Sequence, residues 1–333
     1  MGYAKEKRKA DKRARRIRNI AFIVLAGLLL GACLFSIIVP PRTWKYAFRL
    51  PKTGERKDGE LRIHFIDVGQ GDATVLELPD GKIALIDGAP ESATTALMRY
   101  LNALDVDTID YLILTHADAD HCGALDEVLA CKKVEKAYIP LASPTVNTQY
   151  AEFYTALTKE DGCDWEYAQN GIVLSGEEYL LQFAYPFSYD VQETLKDGKT
   201  FDEDTNGYSA VVWLEYNGVS TLFTGDLPIE KEDVLVNASS IGVLAMDLAE
   251  TDILKVGHHG AETSTGEKLL SCFKDLKTAV ISCGENDYGH PSSEVVKRLQ
   301  GVGTGVYCTQ DTGSVIVSIR KDTSTHAVRF LGK

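Results

Sequence analysis

What the chain has little of narrows the reading first. No two of its seven cysteines stand in a CxxC pair, so a structural zinc knot is not indicated. No segment is of low complexity and no sequence repeat is visible, which leaves no sign of a modular array. Positive charge is scarce over most of the length. Residues 1–19 hold nine Lys/Arg against Glu6 and Asp11, a net of +7, while the formal total is −13, so residues 20–333 carry −20. A body this acidic repels polyphosphate over most of its surface, and a nucleic acid would have to be held by a metal site and a local groove. Long apolar runs are scarce too, with one exception at Ile20–Val39.

That run has twenty residues without charge and ends at Pro40-Pro41, a length that spans a bilayer as a helix. The basic flank predicts a cytoplasmic tail at 1–19, a transmembrane anchor at 20–39 and a linker at 40–60. The rest would then lie outside the cell membrane, held by a single pass. A cleaved signal peptide competes, although the run is longer than a usual signal core. A lipoprotein signal competes as well, since Leu30-Gly31-Ala32 places small residues before Cys33; against it, Leu34–Val39 continues the apolar run. The basic tail reads as a topology determinant and a contact for anionic lipid. Six cysteines remain outside the run: Cys122, Cys131, Cys163, Cys272, Cys283 and Cys308. In an exported body they could pair, or they could serve as apolar strand residues, as in Ile281-Ser282-Cys283.

About 290 residues follow the run, enough for one large α/β domain or two small ones. Alternating or apolar stretches predict strands at 61–68, 73–78, 82–86 and 111–115, with helices at 92–104 and 122–130. The stretch from about 140 to 205 is less legible, with a helix at 148–159 and strands near 165–168 and 179–184. Asn217-Gly218 between two apolar runs is a hairpin signal. Strand and helix then alternate to a last hairpin at 314–319 and 327–330. The second half thus repeats the pattern of the first, and two sheets packed face to face with helices outside would fit this order in one domain, 61–333.

The sharpest feature is Thr115-His116-Ala117-Asp118-Ala119-Asp120-His121, directly after the apolar strand Tyr111–Leu114. Four potential metal ligands fall within six residues, and neutral imidazoles with carboxylates are the usual ligands of Zn²⁺ and Mn²⁺. A helix cap uses one Asp and does not explain two His flanking two Asp. A dinuclear site also needs a carboxylate between the ions, which Gly225-Asp226 supplies at a strand end. It needs a distant histidine as well, supplied by Gly257-His258-His259-Gly260.

Together, Asp87-Gly88, the HxDxDH at 116–121, Gly225-Asp226 and His258-His259-Gly260 resemble the metallo-β-lactamase superfamily. Within it, Phe65-Ile66-Asp67-Val68-Gly69-Gln70-Gly71-Asp72-Ala73 and Lys255–Gly260 resemble the extracellular hydrolase domain of the ComEC/Rec2 competence proteins. Asn206-Gly207-Tyr208-Ser209 and Asn286-Asp287-Tyr288-Gly289-His290-Pro291 match that branch too. The resemblance covers about residues 61–332. It implies an αββα sandwich with two divalent ions, Zn²⁺ or Mn²⁺, in a cleft at one edge. On that match His116, Asp118 and Asp226, with Asn206 beside them, would surround one ion. Asp120, His121, Asp226 and His258 would hold the other, His258 being preferred to His259 because it follows the strand directly. Asp120 would orient an attacking hydroxide, His259 would contact the leaving group or take the ligand position, and His290 would lie near the substrate phosphate. Asp67, Asn206, Ser209 and Ser264 are the substrate-binding candidates.

Two departures qualify the match. Asp118 stands where the superfamily's commonest form has His, although the competence branch shares the Asp; a harder ligand there shifts the balance toward Mn²⁺. Competence proteins also carry a polytopic membrane channel and a small β domain, whereas this sequence has one apolar span and would not itself move DNA across a membrane. The expectation is a membrane-anchored, extracellular, metal-dependent phosphodiesterase or nuclease acting on DNA. The alternatives are a hydrolase of small or cell-surface phosphoesters of the phosphocholine type, and a lactone, thioester or β-lactam hydrolase. A tethered binding module with a vestigial site would predict missing ligands, yet the positions are filled. No protein partner is indicated.

Overall fold

A long apolar run with no water to satisfy its backbone must close its hydrogen bonds internally, and a helix does so. In the computed structural model, which describes residues 2–38, 41–48, 50–176 and 178–332, Gly2–Ile38 form one continuous helix, α1. Its Phe22, Ile23, Leu28 and Leu29 are exposed. Over Lys12–Ile37 it is long and apolar enough to cross a membrane. The expected end of the run at Val39 and Pro40 lies outside the described residues. Contacts divide the chain into two units, Met1–Arg49 and Leu50–Lys333.

The second unit holds fifteen strands among the described residues, in two sheets. The first is built from β1 (Leu61–Phe65), β2 (Thr74–Glu77), β3 (Ile83–Ile86), β4 (Thr108–Ile113), β5 (Lys133–Ile139), β6 (Asp164–Tyr167), β14 (Ser314–Ile319) and β15 (His326–Leu331), in the order β15-β14-β1-β2-β3-β4-β5-β6. The second contains β7 (Val173–Ser175), β8 (Tyr179–Tyr185), β9 (Val211–Tyr216), β10 (Val219–Phe223), β11 (Ile253–Lys255), β12 (Thr278–Ile281) and β13 (Gly305–Cys308), in the order β13-β12-β11-β10-β9-β8-β7. Both follow one plan. Pairing is antiparallel from β15 to β3 and from β7 to β10, then parallel from β3 to β6 and from β10 to β13. The repeated pattern expected from the sequence is therefore a repeated sheet.

Apolar residues at period two put one set between the sheets and the other under helices. Phe65, Leu76, Ile86 and Ile113 meet Phe183, Val212, Phe223 and Val280 in the shared core. Leu85, Leu112 and Ala137 alternate with the inward set and are also fully buried, so that face too is covered. The helices that join its parallel strands, α2 (Thr94–Ala103), α4 (Leu125–Cys131) and α5 (Thr148–Lys159), bury Leu97, Leu101, Val128 and Phe153. On the second sheet, α7 (Ile229–Ser240), α8 (Glu267–Cys272) and α9 (Ser293–Gly301) pack Leu235, Leu269 and Val295 against Trp213, Leu222 and Leu254. The result is the αββα sandwich that the resemblance implies.

Asn217 and Gly218 both take positive φ and turn β9 into β10, as the hairpin signal requires. The longest elements beyond the sequence reading are one strand and two helices. β5 carries Lys133, Glu135 and Lys136, whose charges hide a strand paired on both sides. The other two are helices, α6 (Ser188–Lys196) and α7. In α7 a fully buried acid, Glu232, breaks the apolar periodicity. All seven cysteines are free thiols, with Cys122, Cys283 and Cys308 buried and the sulfurs of the last two 2.9 Å apart.

Glu232 has a structural task. Its carboxylate oxygens accept the backbone N–H groups of Thr265 (2.7 Å) and Gly266 (2.8 Å), where the chain leaves the His258-His259 turn. From α9, Arg298 donates to the carbonyls of Ser264, Thr265 and Glu262 on the same segment. Two helices thus pin one loop. Truncation by Glu232→Ala would strand two buried N–H groups and cost about 3 kcal/mol. Thermal unfolding of the full chain in detergent should then fall by roughly 5–10 °C.

Candidate metal centre

Strand ends from both sheets converge on one edge of the sandwich. Asp87 follows β3, Thr115-His116 follow β4, Gly225-Asp226 follow β10, His258-His259 follow β11 and Ser282 follows β12. Parallel strands present such loops on a common side, which is where α/β sites form.

Asp226 sits at the centre, with 2% of its surface exposed. Its Oδ1 lies 3.4 Å from His121 Nε2. Its Oδ2 lies 3.5 Å from His258 Nε2, 3.6 Å from His259 Nε2 and 3.8 Å from His116 Nε2. Gly225 makes the approach possible: its φ is +53°, and a side chain there would press on the Cβ atoms of Ser209 and Thr115 at 3.0 Å. The Asp226 N–H donates to Ser209 Oγ (3.2 Å).

Each buried histidine is oriented by a partner on Nδ1, leaving Nε2 for the centre. Asp87 accepts from the Thr115 N–H (2.8 Å), from Thr115 Oγ1 (2.9 Å) and from His121 Nδ1 (2.8 Å). With its only proton given to Asp87, the Thr115 hydroxyl accepts from His116 Nδ1 at 3.0 Å. His259 Nδ1 donates to the Ser282 carbonyl (2.9 Å). Carboxylate or carbonyl partners of this kind orient histidines that ligate metals and raise their basicity.

Charge follows the geometry. Burial alone would lower the His121 pKa, but Asp226 and Asp87 on either side raise it well above the ordinary imidazole range. Asp226 responds in the opposite sense, its carboxylate held well below the usual range by His121 and His259 despite burial. His116 is pushed down by burial and by the neighbouring His121, so its imidazole stays neutral. His259 is raised, against burial, by Asp226 and Asp120.

The donor set fits a divalent ion. Asp72, His121, Asp226 and His259 offer ligand atoms that all lie within 4.8 Å of one another. His121 Nε2 and His259 Nε2 face each other at 3.3 Å. The buried atoms His116 Nε2, Asp226 Oδ1 and Asp72 Oδ1 have no hydrogen-bond partner. Unpartnered buried nitrogen and oxygen atoms at such a cluster are what a cation satisfies.

The expected ligands are brought together with one change of order. His258 was preferred because it directly follows the strand, but both histidines take left-handed backbone, with φ of 48° and 53°. That turn sends His259 inward, 1% exposed and 3.1 Å from Asp120 Oδ2, and leaves the half-buried His258 at the mouth. Asp118 lies 3.8 Å from His116 Nε2 and accepts from Thr205 Oγ1 (2.9 Å), a hydroxyl also 3.3 Å from Asn206 Oδ1, which places Asn206 beside Asp118. His290 lines the same cleft, its ring 5.5 Å from that of His258, and its Nδ1 has no partner.

Three expected substrate-binding residues lie away from the cleft lining. Ser209 is fully buried behind Asp226. Ser264 is fully buried and donates to the Leu227 carbonyl (2.8 Å). Asp67 accepts from the Gly69 N–H (3.3 Å), shaping the turn that precedes Gly71, and does not line the cleft. Small polar residues near a motif served the backbone in each case.

Asp72 and Lys255 were quoted in motifs without a role. Lys255 Nζ donates to Asp72 Oδ2 (2.8 Å) and to the Val256 carbonyl (3.0 Å), a buried ion pair beneath His259. Asp72 is brought up by Gly71, whose φ is +140° and where a Cβ would fall 2.5 Å from the Asp120 carbonyl. A charged pair flanking the glycines was the available signal.

The profile of the metallo-beta-lactamase superfamily matches residues 66–285. ComE operon protein 3 of Bacillus subtilis is 29% identical over 287 residues, covering 81% of this chain and 34% of that protein. Recombination protein 2 of Haemophilus influenzae is 29% identical over 269 residues, covering 78% and 29%. Competence protein ComA of Neisseria gonorrhoeae is 26% identical, covering 78% and 32%. The chain thus spans about a third of the length of these curated relatives, which are competence proteins of the ComEC/Rec2 type. Among solved structures, the metallo-beta-lactamase fold protein YhfI of Bacillus subtilis shares the fold, with a TM-score of 0.50 at 12% identity, over 79% of this chain and 100% of that one. The chain belongs to the metallo-beta-lactamase superfamily.

Proposed function

We propose that this chain is a membrane-anchored, metal-dependent phosphodiesterase that cleaves DNA outside the cell. The observation that carries it is the placement of one buried carboxylate, Asp226, within 3.8 Å of four imidazole nitrogens. That is the arrangement a bridging ligand between two ions requires. The resemblance to competence and recombination proteins favours DNA as the substrate. The length and apolar character of helix α1 support an anchor, and its basic flank supports an outward body.

In this reading His116, Asp118 and Asp226 hold one ion, with Asn206 beside them. Asp120, His121, Asp226 and His259 hold the other. Divalent ions held there would act as Lewis acids on the phosphoryl oxygens and bring the pKa of a coordinated water near neutrality. Asp120, on the half-buried lip of the cleft, orients the attacking oxygen. His258 and His290, facing each other across the mouth, contact the phosphate and the leaving group. Burial and the neighbouring His258 and His259 lower the His290 pKa, which keeps that ring neutral and able to give or take a hydrogen bond.

Metal-stripped chain reloaded with Mn²⁺ or Zn²⁺ should gain about 2.7 kcal/mol of stability at a hundredfold excess over the dissociation constant, a rise of several degrees in melting temperature. Asp226→Asn should lose most of that rise, and an unchanged rise would refute the central role given to this residue. Asp87→Asn, which touches no ion in this reading but orients His121, should weaken metal binding by about 10- to 100-fold in equilibrium dialysis.

The reloaded full chain should also hydrolyse single-stranded DNA and bis(p-nitrophenyl) phosphate, with both activities lost in Asp120→Ala. Cleavage of the small ester alone would assign the site to small or cell-surface phosphoesters. No turnover of either substrate with ions bound would reject a phosphodiesterase.

A further inference from the structure

The cleft over the metal centre is walled by Glu91, Asp118, Asp120, Asp226, Glu285 and Asp287, and no lysine or arginine lines it among the described residues. Away from bound ions, nothing in that wall neutralises a phosphate backbone. A strand held there therefore needs a grip that does not depend on charge. The cleft offers one candidate of that kind.

Tyr288 stands on the rim with 77% of its surface in water. Single exposed aromatics are common on protein surfaces and by themselves carry no meaning. This one is held out by a built loop. Asn286 spends its full hydrogen-bonding capacity on the loop, donating through Nδ2 to the carbonyls of Gly284 (2.8 Å) and His290 (2.7 Å). Its Oδ1 accepts the N–H groups of Tyr288 (3.1 Å) and His290 (3.0 Å). The foot of the loop is fixed as well: Gly284 packs so closely on Gly69 that a Cβ would fall 2.5 Å from its backbone. A loop backbone fixed in this way places the Tyr288 side chain at the rim in advance, and a partner ring stacks there without the cost of ordering the loop.

The ring is also in line with the chemistry. Tyr288 lies 5.8 Å from His290, which lies 6.4 Å from His259 and 5.5 Å from His258, so a row of rings leads from solvent to the centre. Resting on the phosphodiesterase reading, we propose that Tyr288 is a nucleobase platform. It would stack on the base next to the scissile phosphate and make single-stranded nucleic acid, rather than a bare phosphodiester, the preferred substrate. Stacking on an aromatic accepts any base, so the site would have little sequence preference.

The test compares two single strands of about twelve nucleotides, one with all bases and one abasic throughout, bound to the full chain in detergent. Ca²⁺ serves as the only divalent ion, and strand integrity is checked at the end. The wild type should bind the base-bearing strand about 5- to 100-fold more tightly, and a 2-aminopurine near the cleft should be quenched on binding. Tyr288→Ala should bring that ratio close to one and abolish the quenching, whereas Tyr288→Phe and Tyr288→Trp should keep both. Because the side chain is exposed, melting temperatures of the three variants should match the wild type. Affinity of the wild type should fall only shallowly with salt, with a log–log slope smaller in size than about 1.

An undiminished ratio in Tyr288→Ala overturns the proposal, as does equal binding of the two strands by the wild type. A salt slope of about −3 or steeper would do the same, by showing that cations elsewhere hold the strand. Failure of the underlying reading is seen separately, as no hydrolysis of a small diester by the metal-loaded wild type.

Discussion

A carboxylate with almost no access to water, ringed by imidazoles, is the constraint on which this molecule turns. Asp226 can be buried only because positive charge surrounds it, and His121 can be charged only because Asp226 and Asp87 flank it. Neither group is tolerable alone at that depth. The cluster therefore has to be assembled as a unit, and the loops that carry it are fixed accordingly. Asp87 orients His121 and, through Thr115, His116; Ser282 orients His259; Ser209 takes the Asp226 N–H. One layer down, Lys255 pairs with Asp72.

The sandwich serves that assembly. Each sheet contributes a parallel region whose strand ends open on the same edge, β3 and β4 from the first, β10 to β12 from the second. The interdigitated core of Phe65, Ile113, Phe223 and Val280 fixes the distance between the sheets, and with it the separation of His116 from His259. Helices on the outside extend the control. Glu232 and Arg298 reach from α7 and α9 to the segment that follows the histidine turn, so that segment is held by residues that never touch the centre.

Much of this was legible in the sequence. The cluster at 116–121, Asp226 after a strand and the paired histidines stand at strand ends, where period-two patterning stops and chemistry-bearing residues begin. What the sequence hid has physical causes. The left-handed turn at His258 and His259 reverses which ring points inward, and strand spacing carries no trace of it. Ser209 and Ser264 are polar residues spent on backbone groups, indistinguishable in sequence from residues spent on a ligand. Helix α7 was obscured by Glu232, a buried acid where periodicity expects an apolar side chain, and β5 by charges at its exposed end.

The members of the centre are scattered from Asp72 to His290, and β1, which opens the sandwich, is seated between β2 and β14. A strand from near residue 60 thus waits for partners near residue 315 before its sheet is complete. Contacts of such long sequence separation form late in folding. A partly synthesised chain accordingly holds only fragments of the centre, none of which contains both Asp226 and its full ring of histidines until the strands of the second sheet that carry them are in place. Completion of the centre is thus tied by topology to completion of the second sheet.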